Sequence, residues 1–185
     1  MLADHAQVST GTAHNLLRRL AGLGLVARIG KGRGASTEVT DRRALRRWVV
    51  RSAGHDDSPR LWCYVRDLSA IPAEHDGVPL IRSGSAAASL MGLPEMSSVS
   101  TVLVRVPVDA QALEDLPAGI RALRTDQAAN LLLVADVKRL ATDARRLDAG
   151  VWVAPPSRIA IDLGLEPRGA AAAEVFLDLW GDEVL

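Results

Sequence analysis

Cysteine and aromatic residues are scarce in this sequence of 185 residues. The single cysteine, Cys63, excludes an intrachain disulfide and a multi-cysteine metal site. The four histidines include no pair spaced four residues apart, so helical zinc ligation has no support. No apolar run approaches the roughly 20 residues that span a bilayer, and no charged-then-apolar leader opens the sequence. We therefore expect a cytoplasmic protein with no metal or other cofactor.

Sequence motifs of the common enzyme classes are also missing. No glycine-rich phosphate loop follows a strand, and no G-x-S-x-G elbow occurs. Gly84-Ser85 is similar to the glycine-serine pair of nucleotidyltransferases, but those enzymes need two metal-binding carboxylates one residue apart. The next acids, Glu95 and Asp109, do not form such a pair. The sequence predicts that the protein is not an enzyme.

The charges are unevenly distributed although the formal net charge is zero. Residues 1–51 hold ten arginine or lysine residues against three acidic residues, a formal charge of +7. Residues 52–185 hold twelve against nineteen, a formal charge of −7. Such asymmetry indicates that the first segment binds a polyanion and that the second does not.

The first segment has the pattern of a helix-turn-helix. A helix is predicted over Thr10–Leu23, with an apolar stripe at helical spacing formed by Ala13, Leu16, Leu17 and Leu20. Ser9 or Thr10 can cap its start, since both accept hydrogen bonds from unpaired amides. Leu2–Gln7 is predicted to be a short preceding helix, separated from the next by a tight turn at Val8-Ser9.

A two-stranded wing is predicted after this helix. Gly22 and Gly24 can end the helix, and Leu25–Ile29 and Thr37–Thr40 are predicted strands. The basic loop 30–34 joins the strands. A helix followed by this hairpin favours a winged helix; the alternative is an ordinary amphipathic helix followed by a solvated hairpin.

Ten residues of this segment are candidate DNA contacts. The proposed readers of base edges are Thr10, Thr12, Asn15 and Arg18. The proposed contacts to phosphate or the minor groove are Arg19, Arg28, Lys31 and Arg33. Ser9 is included among the candidate contacts, and His14 is expected to flank the DNA or to face solvent.

The amino terminus looks incomplete for a winged helix, which normally has a further helix before the helix-turn-helix pair. We expect either that translation starts upstream of Met1 or that another part of the protein, or a second subunit, covers Leu2, Leu16 and Leu20.

A domain boundary is predicted in a polar linker. Residues 1–52 form the predicted winged-helix domain, ending in an arginine-rich helix over Asp41–Ser52 that Asp41 can cap. Residues 53–59 form the linker, in which His55, Asp56 and Asp57 are expected to be solvated. Residues 60–185 form the second domain.

Short strands and helices mix in the second domain without a regular β-α-β rhythm, which favours an α+β fold. The predicted strands are Arg60–Asp67, Val78–Arg82, Thr101–Val108, Leu131–Ala135 and Val151–Val153. The predicted helices are Ala86–Met91, Val137–Leu147, Ser157–Leu163 and Ala170–Trp180. The last helix is expected to bury Val175, Phe176 and Leu179. Leu113–Ile120 is predicted to be irregular. Trp62, Cys63 and Tyr64 are expected to be core or half-buried.

Two segments of the second domain resemble the AbiEi antitoxin family. They are residues 82–94, containing Arg82-Ser83-Gly84-Ser85 and Gly92-Leu93-Pro94, and residues 153–163, Val-Ala-Pro-Pro-Ser-Arg-Ile-Ala-Ile-Asp-Leu. The resemblance implies an amino-terminal winged helix coupled to an α+β domain, repression of the protein's own operon, and opposition to a nucleotidyltransferase-like toxin in a type IV toxin–antitoxin system.

Three functions remain open from the sequence. The favoured one is a sequence-specific transcriptional regulator that binds double-stranded DNA. The second is a toxin-neutralising interaction module with vestigial DNA binding, which the acidic second half favours. The third is a metal-dependent nuclease that uses Asp136 and Lys138, with Asp126 or Asp115 as an upstream ligand.

Overall fold

The computed structural model describes residues 8–53, 56–94, 101–138, 141–167 and 169–180. Within these ranges the chain has six α-helices and a seven-stranded mixed sheet, which confirms the predicted α+β class. The chain divides into two compact units, Met1–Trp48 and Val49–Leu185, each defined by the contacts among its own residues. The predicted helix at Leu2–Gln7 lies outside the described residues.

The first unit contains a helix, a hairpin and most of a second helix. α1 spans Thr10–Gly22, and β1 (Val26–Ile29) pairs antiparallel with β2 (Ser36–Val39). A 3-10 turn, Gly32–Gly34, lies between the strands. α2 spans Arg42–Ser52 and continues into the second unit. These elements confirm the predicted helix, the two strands and the arginine-rich helix.

Gly24 ends α1 because it adopts a backbone conformation that other residues resist. Its φ is +71°, and the Leu25 amide donates to the Leu20 carbonyl at 3.0 Å. This reversal satisfies a carbonyl that the helix leaves unpaired, and glycine enters the left-handed region without a Cβ clash. The chain then turns directly into β1.

The second unit is built on a seven-stranded sheet. Its strands are β3 Arg60–Tyr64, β6 Ile81–Ser83, β7 Val102–Val106, β8 Leu123–Arg124, β9 Leu131–Ala135, β10 Arg145–Arg146 and β11 Trp152–Val153. Their order across the sheet is β10-β11-β6-β7-β9-β3-β8. A separate ribbon pairs β4 (Glu74–His75) with β5 (Val78–Pro79). The helices of this unit are α3 Gly84–Leu90, α4 Ala110–Gly119, α5 Pro156–Leu165 and α6 Gly169–Trp180.

Each face of the sheet contributes to its own core. Side chains alternate along β7, so Val104 joins the core that includes Leu133 and Leu113 of α4. Arg105 points to the opposite face, where its register partner Ile81 belongs to the core built with α3, α5 and α6. A charged side chain therefore lies beneath the helical layer.

The structure corrects the prediction for Leu113–Ile120, which is mostly helical rather than irregular. α4 begins at Ala110, where the Asp109 carboxylate accepts from the Ala112 amide at 2.9 Å. Burial of Leu113 and Leu116 stabilises the helix although Pro117 lies inside it.

The predicted helix over Val137–Leu147 is also wrong. In its described residues the stretch contains turns and β10, whose Arg146 pairs with Trp152 of β11. Gly150, with φ +78°, makes the reversal that brings these two strands together. Pairing across this turn supplies the backbone hydrogen bonds that a helix would otherwise provide.

The predicted inward face of α6 is only partly right. Phe176 is fully buried, but Val175 and Leu179 are 51% and 58% exposed. The buried side of the helix instead includes Ala172 and Ala173, because small side chains permit close packing against α5. None of the helices in the described ranges combines the length and hydropathy needed to cross a membrane.

Candidate nucleic-acid interface and buried ion-pair cluster

α1 separates into a buried side and an extensive polar side. Ala13 and Leu20 are buried, whereas Leu16 is 43% exposed and so departs from the predicted apolar stripe. The exposed polar and charged residues of the helix are Thr10, Thr12, His14, Asn15, Arg18 and Arg19. The helix therefore presents hydrogen-bonding groups to its surroundings.

Ser9 caps α1, as the sequence predicted. Its Oγ accepts from the Thr12 amide at 3.1 Å and lies 2.9 Å from the Thr12 hydroxyl. Both hydroxyl groups thus have partners within the first turn. Ser9 fixes where the helix begins, and any contact it makes with DNA comes in addition to that role.

Among the described residues, some side chains of the exposed face of α1 have interaction partners and others do not. Arg18 Nη2 lies 3.1 Å from His14 Nε2, one helical turn away. The Arg19 guanidinium lies 5.7 Å from the centre of the Trp48 ring, a cation–π contact with α2. Asn15 has no hydrogen-bond partner among the described residues. Its amide can both donate and accept, as recognition of adenine requires.

The basic residues of the hairpin belong to the same unit. Arg28 lies on β1 opposite Thr37, and both Arg28 and Lys31 are exposed. Arg33 lies in the 3-10 turn. All ten predicted DNA contacts, from Ser9 to Arg33, therefore belong to one compact unit.

A cluster of five charged residues lies inside the second unit. Arg105 donates from Nε and Nη2 to the two oxygens of Asp162, each at 2.7 Å, and Nη2 also donates to Asp56 at 2.8 Å. Arg158 pairs with Asp162 through Nε at 3.0 Å, and Arg105 Nη1 lies 3.6 Å from Asp136. All five side chains are buried.

The pairing holds the carboxylates of this cluster in their charged form. Burial raises the pKa of Asp56, but hydrogen bonds from Ser58 and Arg105 outweigh it and hold the pKa far below its usual range. Burial also raises the pKa of Asp162, but hydrogen bonds from Arg105 and Arg158 lower it by more. The net result is a pKa below its usual value. The pKa of Arg105 is raised in turn, because its two carboxylate partners outweigh its desolvation.

The two residues of the predicted nuclease pair have different surroundings. Asp136 is buried, faces Arg105 and accepts from the Ala141 amide at 2.9 Å. Lys138 is exposed and forms an ion pair with Asp57. Across the ranges that the structure describes, no group of three His, Cys, Asp or Glu side chains is placed to hold a metal ion.

Residues 82–94 lie against the segment that contains residues 153–163. Ser83 Oγ donates to Asp162 at 2.6 Å, and the Ser85 amide donates to Glu166 at 2.8 Å. Gly84, with φ +60°, lies so close to Glu166 that an added Cβ would be 2.0 Å from its carboxylate. Burial raises the pKa of Glu166. These contacts hold the start of α3 against the end of α5.

Sequence reasoning missed the charged cluster. Asp56 was expected in a solvated linker but is 7% exposed and belongs to the second unit. Arg105 stands out in the sequence as the only charge within the apolar stretch 101–108, which signals a buried partner. The identity of that partner depends on residues 49 and 57 positions away, which no local pattern reveals.

Comparison of the chain with protein-family models, with curated proteins and with solved structures finds no match.

Proposed function

We propose that this protein is a sequence-specific DNA-binding transcriptional regulator, with α1 as the recognition helix and the β1–β2 hairpin as the wing of a winged helix. The exposed polar face of α1 carries this proposal. An α-helix fits the major groove, where side-chain amides and guanidinium groups distinguish the base pairs. Asn15 and Arg18 supply these two chemistries on consecutive turns of one exposed face.

The positive charge of the first segment supports the same assignment of α1 and the hairpin to DNA binding. The +7 charge of residues 1–51 attracts the DNA backbone, and the proposed phosphate or minor-groove contacts are Arg19, Arg28, Lys31 and Arg33. Phosphate contacts fix the orientation of the protein on the duplex without reading sequence. Base contacts from α1 then supply specificity.

Arg18→Ala tests the assignment against a matched control. Binding to DNA from the region upstream of the protein's own coding sequence is measured by fluorescence anisotropy. Arg18→Ala is expected to weaken it by about 1–3 kcal/mol, as the loss of a base contact does. Arg66→Ala removes another exposed arginine, from the second unit, and should leave affinity within twofold. Equal effects of the two substitutions would contradict a recognition role for α1.

The resemblance to AbiEi antitoxins extends this proposal to repression of the protein's own operon, with a nucleotidyltransferase-like toxin as a further partner. Ser83 of the first resembling segment donates to Asp162 of the second, so the proposal treats the two segments as parts of one structural feature. Increased expression of a reporter fused to the upstream region, on deletion of the gene, would be expected.

A second candidate function is a protein-interaction module. It is favoured by an aromatic surface on the second unit, formed by Trp62 and Tyr64, which are 41% and 40% exposed. Tryptophan and tyrosine are enriched among the residues that dominate protein interfaces. Partner binding by a protein with no measurable affinity for DNA would select this function.

A further inference from the structure

An exposed aromatic surface lies on the β3–β8 end of the large sheet. The sequence contains six aromatic residues, and two of them, Trp62 and Tyr64, project from the same side of β3. Their neighbours Leu61 and Cys63 point the other way into the core. Leu123 of β8 lies opposite Tyr64 and is 68% exposed. Apolar groups of this size are seldom left uncovered together without a binding role.

A pocket of about 350 Å³ opens beside Trp62. Its lining residues are Trp62, Asp126, Ala128 and Ala129, so it contains one acidic group and no basic group. The Asp126 side chain is exposed and has no ion-pair partner within the ranges that the structure describes. An aromatic ring and an unpaired carboxylate at one pocket match a cation, by cation–π attraction and by ion pairing.

Two basic side chains of these strands, Arg60 and Arg124, are directed to other partners. Arg60 donates to the Asp56 carbonyl at 2.6 Å, and Arg124 pairs with Glu114. Ala128 of the lining loop has φ +53°, an uncommon conformation for alanine that the surrounding structure must stabilise. The exposed carboxylate of Asp126 in the same loop stays available to a ligand.

We propose that this pocket binds the guanidinium group of an arginine in a protein partner, and that Tyr64 and Leu123 contact apolar residues beside that arginine. The pocket's charge selects the cation, and the −7 charge of residues 52–185 attracts a basic partner over longer range. The apolar neighbours select a polypeptide over a free amine. The proposal does not depend on DNA binding by the first unit.

Peptide titration of the full chain tests the proposal. The probes are acetyl-Leu-Arg-Leu-amide and the same peptide with neutral citrulline in place of arginine, followed through the indole N–H signal of Trp62 in NMR spectra. Trp62→Phe identifies that signal. The arginine peptide should shift it saturably, with the citrulline peptide binding roughly tenfold more weakly.

Two variants and a third ligand complete the test. Asp126→Asn should weaken binding of the arginine peptide roughly two- to fivefold, whereas Asp148→Asn, an exposed acid elsewhere, should not change it. Equal binding of the arginine and citrulline peptides, or no effect of Asp126→Asn, would overturn the cation site. Acetyl-arginine-amide, which has the same single positive charge, binding as tightly as the tripeptide would overturn the assignment of a polypeptide partner.

Discussion

Arg105 and Asp162 form a two-pronged ion pair inside the second unit, with both carboxylate oxygens 2.7 Å from guanidinium nitrogens. The pair joins β7 to α5, and Asp56 adds the segment that leads into β3. Since each group is buried, each depends on the other for the interactions that water would otherwise supply. The cluster therefore fixes how the helical layer sits on the sheet.

Replacing Arg105 should destabilise the second unit strongly. Arg105→Met leaves Asp162 and Asp56 short of a buried partner, and the expected loss in the free energy of unfolding is about 3–5 kcal/mol. Arg66→Met, at an exposed position, is the matched control and should change it by less than about 0.5 kcal/mol. Urea unfolding measures both variants. Wild-type stability in Arg105→Met would show that the pair does not hold the unit together.

Acid should destabilise the second unit through the same carboxylates. The pKa values of Asp56 and Asp162 lie below the usual 3.8 in the folded protein, so the unfolded chain binds protons first as pH falls. Stability should be level above about pH 5 and decline steadily below about pH 4.

Urea midpoints between pH 7 and pH 2.5 measure this dependence. Asp148→Asn, which removes an exposed acid, should retain the same decline. An unfolding free energy that stays constant down to pH 3 would contradict the pairing.

Two glycines near the end of α1 should respond oppositely to alanine. Gly24→Ala places a side chain at φ +71° and should destabilise the first unit by about 1 kcal/mol. Gly22→Ala is the control, because Gly22 lies within α1 and has open space around it. This substitution should be neutral or should stabilise the first unit by up to about 1 kcal/mol. Hydrogen exchange of the α1 amides measures both, and equal effects would contradict the left-handed helix end.

Local signals in the sequence located most elements, and long-range contacts explain the errors. Ser9, Gly24 and Asp41 act on neighbouring backbone groups, so their patterns correctly marked the ends of α1 and the start of α2. Asp56 looked like a linker residue because its partner Arg105 is 49 positions away. Val175 and Leu179 looked like core residues, but the alanines of α6 occupy the packed side.

The sequence predicted which residues form the candidate DNA site, but not which other side chains they contact. Periodicity placed Asn15 and Arg18 on the outer face of a helix, where the structure also has them. The contact of Arg19 with Trp48 depends on how α2 packs, which periodicity does not specify. Trp62 lies on the same sheet face as Arg105, so its exposure depends on how far the helices extend across that face, which periodicity does not specify.

Asn15→Ala should change which DNA sequence is preferred. An asparagine that pairs with adenine discriminates by about 1–3 kcal/mol at one base position, so its loss should relax preference there and nowhere else. Selection from a random DNA library by wild type and variant measures this preference. Lys31→Ala is the comparison, because loss of a phosphate contact weakens binding to all sequences alike. An unchanged selected sequence with Asn15→Ala would remove Asn15 from the interface.

The most direct measurement is the affinity of the purified chain for DNA from its own upstream region, across a salt series and against random competitor of equal length. The proposed regulator should bind the upstream DNA at least about 1,000-fold more tightly than random DNA, as specific DNA-binding proteins do. Equal affinities that fall steeply and together with salt would show only nonspecific attraction by the +7 segment, and would contradict sequence-specific recognition by α1.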